Sequence, residues 1–286
     1  MTIKDAINYG HKILSASSCV TARFDAELLL AFVLQKNREF LLTYPEKNIN
    51  FWQSLKFKYL TKRRAKNEPV AYLVGQKDFF GLNFVVNKNV LVPRPETELM
   101  VEEIIEIVKE KSTGKIIDLG TGSGCIISSL AKNLENNFKF FASDISRPAL
   151  KIAKKNAQLN RVHDKIIFKH GNLLKPFIDD IVVDDYLIIS SNLPYLSPEQ
   201  IKNSPSIQKE PYLALEAGED GLRYYRELFA QIVELKNGKN ISGFCLCEID
   251  PIQKDSIGIL VKSYFDTNFT IKNDLAGLSR LAIIEI

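Results

Sequence analysis

The chain predicts an α/β protein: a mostly parallel sheet covered by helices on both faces, preceded by a small helical domain. Three observations predict it. From Lys115 onward, short apolar runs alternate with helical stretches, the pattern of βαβ units. The first of those runs ends at Asp118 and enters a glycine-rich turn, Gly120, Gly122 and Gly124, before a helix-compatible segment. The first seventy-odd residues, by contrast, carry helical periodicity alone.

Taken in order, "FDAELLLAFVLQ" sets Phe24, Leu28, Leu29, Phe32 and Val33 on one stripe, and "NFWQSLKFKYLTKRRAK" shows a similar stripe with a basic opposite face. The texture changes at Pro69. "AYLVGQKDFFGLNFVVNKNVLVPRPETE" is aromatic and β-branched, punctuated by Gly81, and reads as a short hairpin and a proline-locked turn. Thr97 is then the expected cap of a helix whose stripe is Met100, Ile104, Ile107 and Val108. Strands are expected at 115–118, 138–144, 166–169, 185–191, 243–249 and 280–286. The resulting division is a helical domain over 1–75, a hairpin linker over 76–98 and a catalytic domain over 99–286.

Composition narrows the function classes. The 286 residues include 38 basic and 34 acidic ones, a formal charge of +4. A charge that small gives no dedicated nucleic-acid surface, and the cluster from Lys56 to Lys66 reads as a solvated helix face. Cys19, Cys125, Cys245 and Cys247 have no histidine at ligand spacing, so no metal is expected, and four small thiols fit a reducing compartment. The N-terminus lacks a signal-peptide apolar core and no apolar run reaches membrane-spanning length, so a cytoplasmic protein is expected. No interface signal stands out, and a monomer is expected.

The glycine turn carries the first chemistry. Glycines let the backbone turn sharply and approach a ligand, and the following helix start offers free N–H groups. The dinucleotide fingerprint fails here, because Cys125 or Ile127 falls where its third glycine belongs. The acid followed by G-x-G-x-G instead resembles motif I of the class I S-adenosylmethionine (AdoMet) methyltransferases. Asp118, Gly120, Thr121, Gly122, Ser123 and Gly124 are therefore expected around that cofactor. Asp144 closes the next strand, where a carboxylate can accept from both ribose hydroxyls, with Ile145 beside it. Asn172 and Leu173 in "HGNLL" lie where similar enzymes hold the adenine; Asn172 replaces the usual Asp but keeps an amide oxygen for the adenine amino group.

The second chemistry lies in "SSNLPYL". Asn192, Leu193, Pro194 and Tyr195 end the fourth strand and resemble the Asn-Pro-Pro-Tyr signature of enzymes that methylate planar amino nitrogens. Such a nitrogen is a poor nucleophile because its lone pair is delocalised, so it must be held and polarised. The oxygen of Asn192 and a following backbone carbonyl can accept both N–H protons, which places Asn192 against cofactor and substrate alike. Pro194 biases Leu193 toward an extended conformation and so directs that carbonyl, and Tyr195 offers a flat wall. Leu193 stands where the first proline of the signature usually sits, which loosens the turn but keeps the carbonyl.

The resemblance extends over the whole chain. Glu68-Pro69, Tyr72 to Gly75, Phe80-Gly81 and Pro93 to Glu98 match the segment before motif I in the release-factor glutamine methyltransferases, the PrmC/HemK family. Glu210-Pro211, Asp220-Gly221-Leu222, Glu248-Ile249 with Gln253, and "DLAGLSR" match downstream. The resemblance implies a seven-stranded sheet with an antiparallel last strand, AdoMet as methyl donor, and a release factor as partner. The methyl acceptor would be the side-chain nitrogen N5 of the glutamine in its Gly-Gly-Gln (GGQ) loop. The N-terminal helices and hairpin would help dock the release factor. Two alternatives remain beside it: an amino-methyltransferase of DNA or ribosomal RNA, acting on adenine N6 or guanine N2, and a non-catalytic scaffold with a methyltransferase fold. The first wants a stronger basic field than +4, and the second has Leu193 as its only support.

Overall fold

The computed structural model describes residues 1–17, 19–134 and 137–286. The chain divides into two compact units, Met1–Gln76 with Ser204–Lys209, and Lys77–Asn203 with Glu210–Ile286.

The first unit is helical: α1 (Ile3–Ser15), α2 (Ala22–Leu34), α3 (Arg38–Thr43), α4 (Phe51–Arg64) and α5 (Val70–Val74). Capping boxes open α1 at Thr2 and α4 at Asn50. The buried stripe of α2 is Ala22, Ala26, Leu29, Leu30 and Val33, so Phe24 lies outside it, exposed and stacked under the Arg38 guanidinium. On α4 only Phe57, Leu60 and Thr61 are buried, and Phe51, Trp52, Leu55 and Tyr59 are exposed. "AYLV", expected to open the hairpin, is instead the short helix α5, ended by Gly75 at φ 80°.

The second unit starts with the hairpin β1 (Gln76–Phe79) and β2 (Leu82–Val85), then α6 (Glu98–Val108), β3 (Gly114–Leu119), α7 (Cys125–Asn133) and β4 (Phe138–Asp144). There follow α8 (Arg147–Leu159), β5 (Ile166–His170), β6 (Tyr186–Ser191), α9 (Pro198–Lys202), α10 (Arg223–Lys239), β7 (Ser242–Glu248), α11 (Lys254–Tyr264), β8 (Phe269–Asn273) and β9 (Ser279–Glu285). Seven strands form one sheet in the order β5-β4-β3-β6-β7-β9-β8, parallel except for β9. β8 is the strand that periodicity misses, because "FTIKN" is a half-exposed edge strand without a continuous apolar run.

Alternation along the central strands feeds both faces. Ile117, Ile189, Cys245 and Cys247 point into a core closed by Tyr225, Phe229, Ile257 and Val261 of α10 and α11. Ile116, Ile188 and Leu246 point into the other core, closed by Met100, Ile104, Ile127 and Leu130 of α6 and α7. The α6 stripe includes Val101 rather than Ile107. Thr97 does not cap that helix. It ends a 3-10 turn, Pro95–Thr97, with its backbone already helical, and its hydroxyl is used elsewhere.

Asn156 of α8, wholly buried, ties the hairpin to this sheet. Its Nδ2 donates to the carbonyls of Val85 (2.9 Å) and Ser123 (2.8 Å), and its Oδ1 accepts from Val85 N (2.8 Å). Asn156→Ala would leave three backbone groups, one buried and two half-buried, without this partner, so a loss of about 2–3 kcal/mol in unfolding free energy is expected, read from the denaturant midpoint.

Candidate active site

The strand order reverses between β3 and β6, and a cavity opens at their carboxyl ends, the place where open α/β sheets hold ligands. Asp118 and Ser190 are register partners on these strands, and Ser190 Oγ donates to Asp118 Oδ1 (2.9 Å). Thr121 Oγ1 donates to the other carboxylate oxygen (2.6 Å), bending the loop back over the strand that leads into it. Asp118 is 1% exposed; burial pushes its carboxyl up to about 7, against the two hydroxyls that hold it down and with Asp144 adding to the rise. Both carboxylate oxygens are taken and the residue does not line the cavity, so Asp118 shapes the loop from behind.

The glycines divide the work. Gly120 and Gly122 line the cavity. Gly120 has φ 65°, and a Cβ there would sit 3.0 Å from Leu193 Cδ2. Gly124, at φ 77°, lies off the cavity and opens α7; a Cβ on it would meet Ala153 of α8 at 3.1 Å, so this glycine lets two helices close on the loop. Thr121 and Ser123 line the cavity, as does Cys125, whose thiol burial pushes up to about 12 and so keeps protonated.

Asp144 ends β4 inside the cavity. Its Oδ2 accepts from Gly122 N (2.9 Å) and its Oδ1 from Ser146 N (2.7 Å), so it braces the loop while each oxygen keeps a further lone pair. Ser146, not Asp144, caps α8. Burial raises the pKa of Asp144, opposed by those two N–H groups and His170. Ile145, half-exposed, lies beside it, and Asn172 and Leu173 complete that wall. Asn172 Nδ2 donates to Glu227 Oε1 (2.5 Å), which leaves its amide oxygen without that partner.

Asn192, Leu193 and Pro194 also line the cavity. Leu193 is 3% exposed and packs in the core, so the side chain that replaces a proline gains burial over Gly120. Tyr195 departs from expectation: it packs against the core, its hydroxyl donates to Glu248 Oε1 (3.2 Å), and it does not line the cavity. Burial and the Glu248 charge raise its pKa. Its carbonyl accepts from Gln253 Nε2 (3.0 Å), which fixes the turn from outside.

Several further lining residues come from the linker before α6, from α8 and α10, and from the loop after β6. Val90 to Arg94, Ala149, Pro211, Leu213, Ala214 and Tyr224 all reach the cavity. The loop after β6 contributes three of them, Pro211, Leu213 and Ala214. Arg94 pairs with the buried Glu210, which also accepts from Val92 N (3.0 Å), and Glu98 accepts from Phe80 N (2.8 Å); both brace the linker. Thr97 also lines the cavity. It donates to Glu248 Oε2 (2.6 Å) and accepts from Asn192 Nδ2 (3.1 Å). A lone acid ending the apolar strand "GFCLCE" was the sequence signal for Glu248; nothing local pairs it with Thr97, 151 positions earlier.

A doubly wound sheet with a glycine turn and an acid closing the next strand is an architecture that class I methyltransferases share with other nucleotide-binding enzymes. The catalytic domain of human METTL16 in complex with an RNA hairpin has this fold, at a TM-score of 0.58, 17% identity and 90% and 91% coverage of the two chains. Residues 5–75 match the PrmC N-terminal domain, and 94–201 match ribosomal protein L11 methyltransferase (PrmA). Release factor glutamine methyltransferases of Coxiella burnetii and Koribacter versatilis are 37% and 35% identical to it, each match spanning 99% of this chain and 98% of the relative. The chain belongs to the release factor glutamine methyltransferase family, and it is a methyltransferase. Among the described residues, no helix is long and apolar enough to cross a membrane and no cluster of candidate metal ligands is found.

A ribose held by Asp144 would be held best by the ionised carboxylate, and burial moves protonation of Asp144 up from the ordinary carboxylate range. Cofactor affinity is expected to fall as pH is lowered and Asp144 takes up its proton, and Asp144→Asn to weaken binding about 10- to 100-fold while flattening that dependence, both read by calorimetry.

Proposed function

We propose that this chain transfers the methyl group of S-adenosylmethionine to the side-chain nitrogen N5 of the glutamine in the GGQ motif of peptide chain release factors, acting as a monomer in the cytoplasm. One observation supports it above the others. Asn192 lines the same cavity as the glycine loop and Asp144, with its amide nitrogen engaged by Thr97 and its oxygen met by no donor among the described residues.

The residues present fit the cofactor. Asp144 offers acceptors for ribose hydroxyls, the loop at Gly120 and Gly122 allows close approach, and the amide oxygen of Asn172 suits an exocyclic amine. Bound there, S-adenosylmethionine supplies an electrophilic methyl on a sulfonium and so needs no metal activation.

The rest is done by the chain. Asn192 Oδ1 and the carbonyl of Leu193 accept the two N–H protons of the substrate amide, holding its plane and turning the nitrogen lone pair to the methyl. As the N–C bond forms and the S–C bond breaks, positive charge grows on nitrogen and both acceptors stabilise it. One N–H proton then leaves to solvent, which yields N5-methylglutamine and S-adenosylhomocysteine. Tyr195 serves from behind, through Glu248 and Gln253.

Mass spectrometry of purified release factor after incubation with the protein and S-adenosylmethionine tests this reading. A single added methyl on the GGQ glutamine is expected; an unmodified factor with cofactor bound would overturn it in favour of a nucleic-acid substrate. Asn192→Ala should lower turnover by about 100-fold or more while cofactor affinity stays within about threefold.

A further inference from the structure

An amide side chain can face a substrate in two ways, and only one of them puts an acceptor forward. Asn192 presents that choice, because its two ends are nearly isosteric. The choice is resolved by a chain of bonds through Thr97. The Thr97 hydroxyl has one proton, and that proton goes to Glu248 Oε2 (2.6 Å). Thr97 Oγ1 can then only accept toward Asn192, and it accepts from Nδ2 (3.1 Å). With the amide reversed, Asn192 Oδ1 would face Thr97 Oγ1 with no proton between them.

We infer that Thr97 and Glu248 are positioning residues that set the polarity of the Asn192 amide, so that its oxygen is the end offered to the substrate nitrogen. This rests on the glutamine-methylation reading of the same site. Glu248 is suited to anchor the chain. It is 2% exposed at the end of β7 and takes hydroxyl protons on both oxygens, from Thr97 and from Tyr195 (3.2 Å). Burial raises its pKa, while the Thr97 hydroxyl, the Arg280 charge and the Tyr195 hydroxyl oppose the rise. Thr97 is buried in the turn after Pro95 and has no capping duty that would compete for its hydroxyl.

The test uses the full chain, with Thr97→Val, Thr97→Ser and Glu248→Gln. In asparagine-15N protein, the side-chain signals of Asn192 are those that vanish in Asn192→Asp. Thr97→Val is expected to move them and to abolish their protection from hydrogen exchange, and Thr97→Ser to restore both. In turnover, Thr97→Val should lower kcat about 10- to 100-fold with KM for cofactor and substrate within about twofold, because an acceptor of developing charge is misoriented. Thr97→Ser should recover most of that loss. Glu248→Gln leaves one oxygen for two hydroxyl donors, so it should lower kcat in the same sense even if Thr97→Val folds poorly. Unmoved Asn192 signals in Thr97→Val, or wild-type kcat in that variant, would overturn the inference. If the wild-type protein leaves the release factor unmethylated, the substrate reading fails alone, and the amide signals still decide the orientation.

Discussion

The site depends on two adjacent parallel strands ending side by side. β3 and β6 are paired through Asp118 and Ser190, and the hydroxyl of one closes on the carboxylate of the other. One residue past Ser191 the chain delivers Asn192; two residues past Asp118 it delivers Gly120. The bond between the strand ends therefore fixes the separation of the two loops that face each other across the cavity. Leu193 lies over Gly120 from the β6 side, so apolar contact reinforces what the hydroxyl sets. The two serines before Asn192 accordingly have distinct tasks. Ser190 joins β6 to β3, and Ser191 donates to the carbonyl of Leu246 on β7 (3.1 Å).

Three acids close three strands of the same edge: Asp118 on β3, Asp144 on β4 and Glu248 on β7, each less than a tenth exposed. A buried carboxylate must find partners or lose its charge. Here each is served by two uncharged donors, hydroxyls for Asp118 and Glu248 and backbone N–H groups for Asp144. For each acid at least one donor comes from a segment remote in sequence, Ser190 for Asp118, Gly122 for Asp144, and Thr97 and Tyr195 for Glu248, so the need to satisfy a charge joins those segments. The direction of those bonds matters as much as their strength. A hydroxyl that donates to an acid must accept from its next neighbour, and polarity is passed along.

Local chemistry made much of this legible. The glycine turn, Asp144 and the Asn192 turn each combine a backbone requirement with a side-chain task inside a few residues, and the alternation of strands and helices gave the class of fold. What escaped depends on long-range packing. Thr97 carries the marks of a helix cap, yet a 3-10 turn ahead of α6 frees its hydroxyl for Glu248. Tyr195 has the shape of a wall, but a buried acid behind it draws the hydroxyl inward. "AYLV" has β-forming residues and still closes a helical turn, because Gly75 supplies a left-handed end. On α2 the expected stripe holds at Leu29 and Val33 and fails at its start, where the small Ala22 and Ala26 are buried and Phe24 takes the cation of Arg38.

The exposed face of α4 has a consequence for how the molecule can be watched. Trp52 is the only tryptophan in the chain, and it stands 73% exposed on that helix. Its emission, red-shifted by water and open to soluble quenchers, therefore reports from the first unit alone. Tyrosines stand in both units, Tyr9, Tyr44, Tyr59 and Tyr72 in the first and the buried Tyr225 among those of the second, so only the tryptophan signal is confined to one unit. The protein thus carries its own optical label on one unit, placed by the same residues that leave α4 with an aromatic surface.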